Sequence, residues 1–118
     1  METISRKDLT ISWLSGYIDA DGCISFSRMN NNRRTKQTSY LVPYVSITTT
    51  CTLNYQRLLE IYRELNIPVH VSMKPNGDPK TRKPVYVFKT QGLKRTKLIL
   101  PLIEPYLIGK KREAQLVM

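Results

Sequence analysis

The chain has 118 residues, enough for one domain with a real core and too few for two, so 1–118 is read as a single domain. Its hydrophobic fraction of 41% fits a folded globule, while 19 Lys+Arg against 9 Asp+Glu give a net charge of +10, which points to a polyanionic partner. No run of about 18 apolar residues is present and the start METISRKDLT lacks a signal-peptide core, so no membrane association and an intracellular location are expected. Two cysteines, Cys23 and Cys51, and the lone His70 rule out a disulfide framework or a CxxC-type metal site; both cysteines are expected to be small buried residues.

Asp8 is placed to cap a helix over residues 9–20, with Ile11, Leu14 and Ile18 on one face and Trp13 and Tyr17 beside them. Ser12, Ser15, Gly16 and Asp19 follow i, i+3, i+4, i+7 spacing and are small or polar, which lets another backbone approach closely. Gly16 costs about 1 kcal/mol relative to Ala in a helix interior, and close packing would offset it. The helix ends in Asp19 and Asp21, where carboxylates are disfavoured by about 0.3–1 kcal/mol each unless a positive group offsets them.

Residues 23–29 then alternate, with Ile24, Phe26 and Arg28 on one side and Ser25, Ser27 and Met29 on the other. After the polar, basic tip NNNRRTKQT the chain returns over residues 40–49, where Val45 and Ile47 alternate with Tyr44, Ser46 and Thr48; the two runs predict a long hairpin. Tyr55, Leu58, Leu59, Tyr62 and Leu65 have helical spacing up to the stop at Asn66-Ile67-Pro68. VHVSMK and VYVFKT flank PNGDPKTRKP, whose Asn76-Gly77 pair and prolines predict a second hairpin. A leucine-rich helix over residues 93–103 follows, broken by Pro105, and GKKREAQLVM begins another.

The order is α-β-β-α-β-β-α-α, an α+β fold in which helices cover only one face of a four-stranded sheet. Basic residues concentrate on the hairpins: Arg28, Arg33, Arg34 and Lys36 on the first, Lys74, Lys80, Arg82, Lys83 and Lys89 on the second. The uncovered face would carry Ser25, Ser27, Tyr44, Ser46, Thr48, His70, Ser72 and Lys74. Hydrogen-bonding side chains on a basic-tipped β-ribbon suit phosphate tracking and groove reading in nucleic acid.

Residues 14–22, LSGYIDADG, closely resemble the motif for which LAGLIDADG homing endonucleases are named. Leu14, Gly16, Ile18, Asp19, Ala20, Asp21 and Gly22 match, seven positions of nine. An EF-hand is excluded, because its closing Glu would fall at Asn30 and 23–26 is apolar. The resemblance extends to the order of elements, since the family core is an α-β-β-α-β-β-α unit with a four-stranded antiparallel DNA-binding saddle.

The resemblance implies that two motif helices pack side by side through Ser12, Ser15, Gly16 and Asp19. A single motif implies a homodimer on nearly palindromic double-stranded DNA. It makes Asp21 the metal-binding catalytic residue, helped by the Ala20 carbonyl, with Asp19 shaping the helix end or bonding across the interface. Mg²⁺ is the implied cofactor, with Mn²⁺ as a substitute. Lys110, with Lys111 as its alternative, resembles the basic residue that the family places near the start of its last helix. Thr49 and Thr50 stand where family members order water, with Asn54 further on, although the family often has Gln and a basic residue there.

The expected function is a site-specific, metal-dependent DNA endonuclease making staggered double-strand breaks, intron-encoded or free-standing. Its host compartment, whether an organelle, a bacterium or a phage, is left open. The alternative is a non-cleaving binder of the same fold, an intron RNA maturase or a transcription regulator. The blandest reading is a basic α+β adaptor with a coincidental motif.

Overall fold

The computed structural model of the protein describes residues 5–31, 38–74 and 84–118. The elements follow the expected order: α1 (Arg6–Asp21), β1 (Gly22–Asn31), β2 (Thr38–Thr49), α2 (Thr52–Glu64), β3 (His70–Lys74), β4 (Val85–Gln91), α3 (Leu93–Ile103), a 3-10 turn (Glu104–Tyr106) and α4 (Lys111–Val117). The strands form one antiparallel sheet in the order β1-β2-β4-β3. Among the described residues no helix is long and apolar enough to cross a membrane.

Helix α1 starts three residues before the expected point. Ser5, not Asp8, is its cap: the Ser5 hydroxyl accepts from the Asp8 amide at 3.1 Å. Both residue types cap, but with Ser5 in that role Asp8 falls in the first turn, where a carboxylate gains from the helix dipole. At the other end, Gly22 joins helix to strand with no loop. A Cβ there would lie 2.8 Å from the backbone of Ile18, so only glycine lets the strand leave so close to the last turn.

One face of the sheet carries the core. Ile24, Val45, Ile47 and Phe88 meet Leu14 and Ile18 of α1, Leu58, Ile61 and Tyr62 of α2, and Ile99, Leu100 and Ile103 of α3. Burying each such side chain contributes about 1.5–3 kcal/mol. Tyr62 stacks on Phe88 with ring centroids 5.7 Å apart, and burial pushes its unpartnered phenol well above the ordinary tyrosine range. Pro43 is tolerated in β2 because β4 pairs only with residues 44–49; beyond them the Gly92 amide donates to the Pro43 carbonyl at 2.9 Å.

Both cysteines are exposed, contrary to the expectation of burial. Cys23 shares the parity of Ser25 and Ser27, so the pleat turns it to the open face whatever its hydrophobicity. Cys51 sits just outside α2, at its N-cap.

Candidate metal and nucleic-acid site

The C-terminal end of α1 gathers the residues with most chemical potential. Asp21 is the last residue of the helix and is exposed. Helix carbonyls here lack i+4 amide partners within the helix. The Ile18 carbonyl accepts from the Gly22 amide, and that of Asp19 accepts from the Lys110 ammonium at 2.6 Å. Ala20 carries the next carbonyl along.

Asp19 behaves differently. Its Oδ2 accepts from the amides of Ile108 at 2.6 Å and Gly109 at 3.0 Å, and its Oδ1 from the amide of Lys110 at 2.7 Å. Partial burial acts to raise its pKa. The three amide bonds, joined by the Lys110 ammonium, outweigh that effect and hold the carboxyl below its ordinary value. Part of the positive charge sought for the helix end is therefore supplied by the chain's own C-terminal segment.

This geometry divides the four small-face residues. Ser15 is buried, at 0% exposure, and its hydroxyl donates to the carbonyls of Ile11 at 2.7 Å and Ile103 at 3.3 Å. Ser15 thus meets the last residue of α3 and Asp19 the segment of residues 108–110, so both are hydrogen-bonded within the chain, while Ser12 and Gly16 stand along the other edge of the small face. Those two are exposed, and among the described residues a Cβ on Gly16 would meet nothing within 4 Å. At 100° per residue the i, i+3, i+4, i+7 set spans a wide stripe, and its two edges have different neighbours.

Lys110 lies at the start of the last helix and reaches α1, whereas Lys111 is exposed. Thr49 is the last residue of β2. At 6% exposure it shares the core-facing parity of Val45 and Ile47, and its hydroxyl accepts from the Cys51 amide at 3.2 Å. Thr50 is exposed at the strand end. Asn54 donates to the Tyr17 hydroxyl at 3.3 Å, and Tyr17 in turn contacts the Trp13 ring.

The uncovered sheet face is polar, and its register sets the side chains in rows. Cys23, Ser46, Lys89 and His70 form one row across the four strands; Ser25, Tyr44 and Gln91 form another; Thr48, Val87 and Ser72 a third; and Lys74 faces Val85. Neighbouring rows interlock. The Lys89 ammonium lies 4.6 Å from the Tyr44 ring centroid, the Tyr44 hydroxyl is 3.5 Å from Cys23 Sγ, and Gln91 donates to the Ser27 hydroxyl at 3.0 Å. The bond to Cys23, with partial burial, pushes the Tyr44 phenol upward. Arg28 is exposed but has the parity of Ile24 and Phe26, so it extends from the opposite side of the ribbon. Arg33, Arg34, Lys36, Lys80, Arg82 and Lys83 lie outside the described residues.

Two participants escaped the sequence reading. Cys23 was signalled by strand parity, which outranks its tendency to be buried. The amides of 108–110 were signalled only by Gly109 before a lysine pair, because backbone donors carry no side-chain signature. As for metal, among the described residues no three His, Cys, Asp or Glu side chains come together. One chain offers the Asp21 carboxylate and the Ala20 carbonyl, hard oxygen donors that suit Mg²⁺ but need oxygens from elsewhere to complete a shell.

The sequence profile of the LAGLIDADG endonuclease family matches residues 14–118. The chain belongs to that family. Solved structures agree on the LAGLIDADG fold. The homing endonuclease I-CvuI in complex with the I-CreI target, with DNA not cleaved in Mg, is 23% identical with a TM-score of 0.71, covering 94% of this chain and 64% of that one. The group I intron-encoded homing endonuclease I-CeuI, complexed with DNA, is 13% identical with a TM-score of 0.71, covering 98% and 55%. The homing endonuclease I-TnaI is 17% identical with a TM-score of 0.64, covering 91% and 67%. The chain thus spans somewhat over half the length of the first two. No curated protein matches significantly.

Proposed function

We propose that this LAGLIDADG chain is a site-specific homing endonuclease that acts as a homodimer. Its substrate is a long, nearly palindromic DNA, in which it makes a staggered double-strand break with Mg²⁺ or Mn²⁺. The observation that carries this reading is the exposed Asp21 carboxylate at the end of α1, on a helix whose Ser12–Gly16 edge is open to a second copy. The polar rows of the sheet, with Lys74 and Lys89, contact phosphates and base edges on each half-site, so most bonds position the duplex and a few read it.

The chain's own groups then have distinct tasks. Asp21 and the Ala20 carbonyl supply oxygen ligands. A bound divalent metal would contribute Lewis-acid stabilisation of phosphate charge and a lowered pKa for water. Lys110 places a cation beside the same helix end, where it offsets charge developing on the scissile phosphate. The exposed Thr50 hydroxyl orders water. As water oxygen bonds to phosphorus the P–O3′ bond breaks, and one proton ends on the 3′ oxygen. One strand is cut by each copy.

The burial of Thr49 favours a second reading, a non-cleaving DNA or intron-RNA binder, since it removes one hydroxyl from the expected water network. A plasmid library carrying randomised targets, incubated with the protein and Mg²⁺, separates the two. Double-strand cuts abolished by Asp21→Asn, with DNA affinity kept, support the endonuclease; RNA binding with no cut in any target supports the binder.

A further inference from the structure

We infer that Asp19 is a positioning residue for Lys110, acting through the backbone of residues 108–110; this rests on the role proposed above for Lys110. Three consecutive amides converge on one carboxylate, and the ammonium of the third residue returns to the main-chain carbonyl of the same aspartate. The tie therefore runs both ways: backbone to Asp19 side chain, and Lys110 side chain to Asp19 backbone.

An ordinary helix cap would bond the second or third amide of α4, those of Arg112 or Glu113. Asp19 instead grips the residues that precede the helix, with Lys110 at the N-cap position. What it fixes is the connection from which the Lys110 side chain departs. A carboxylate has about four acceptor sites, and three are occupied here, which leaves Asp19 poorly suited to bind metal as well. The two motif aspartates thus divide the work, and Asp19 acts at one remove from the phosphate.

The test compares wild type, Asp19→Asn, Lys110→Met and the double variant in single-turnover cleavage and in DNA binding. Asp19→Asn keeps the shape but turns an amide donor toward backbone N–H groups. It is expected to slow cleavage by about 10–100-fold, the range found when a group that orients another is replaced, with DNA affinity unchanged. The double variant is expected to be no slower than Lys110→Met alone. Losses that multiply in the double variant, or a fall in affinity matching the fall in rate, would overturn the inference. Amide hydrogen exchange at Ile108, Gly109 and Lys110 gives a readout without activity: protection in wild type should be lost in Asp19→Asn while α1 stays protected, and retained protection refutes the tie. If wild type cuts no target, the endonuclease reading fails, and exchange still decides whether Asp19 holds this segment.

Discussion

Helix α1 has two edges built from similar residues and put to different uses. Along one, Asp8 accepts from the Tyr106 hydroxyl at 3.5 Å, Ser15 bonds the Ile103 carbonyl and Asp19 takes the amides of 108–110, so a polar seam joins the helix to the C-terminal segment. Along the other, Ser12 and Gly16 touch little within the chain, and the large side chains of Leu9 and Trp13 are left in solvent beside them. Smallness at Ser15 serves packing within the fold. At Gly16 no described atom lies within 4 Å of where a Cβ would stand, which fits the proposed contact with a second copy.

The largest expected effect comes from filling the open edge. A Cβ at Gly16 would meet no described atom within 4 Å, and Gly16→Arg raises helix propensity by nearly 1 kcal/mol, so thermal stability at low concentration should hold or rise. Sedimentation should then show a monomer, and cleavage should fall below detection. An unchanged dimer would mean that this edge is simply solvated.

Filling the inner edge should do the reverse. Ser15→Leu overpacks a fully buried site and is expected to cost about 1–3 kcal/mol in urea unfolding, with the association state of the remaining folded protein unaltered.

A smaller effect tests the seam in acid. Because the Asp19 carboxyl is held below its ordinary value of 3.8, the unfolded chain binds its proton more readily. Its contribution is therefore complete above that value and is lost as pH falls through the lower folded-state pKa. Urea midpoints measured from pH 5 downward should fall less steeply for Asp19→Asn than for wild type.

Much of this was legible from residue order alone. Alternation placed Ser25, Tyr44 and Ser46 on one sheet face, because side-chain direction in a strand follows parity and needs no tertiary information. The same parity turns Thr49 inward beside Ile47, and it turns Cys23 outward beside Ser25, where the general habits of cysteine pointed the other way. The cap of α1 was misplaced by three residues, since Ser5 and Asp8 are both competent and only the hydrogen bond tells them apart.

The sequence by itself determined the element order, the family motif and the exposed polar face, all of which depend on local periodicity and residue chemistry. Only the tertiary structure decided what lies beside each edge of α1. Asp19 is held by the backbone of 108–110, about 90 residues away in the chain. Backbone amides are alike in every residue, so no sequence pattern marks the ones that will meet a given carboxylate. The two aspartates of one motif have the same side chain, and the fold gives one of them three amide donors and leaves the other exposed.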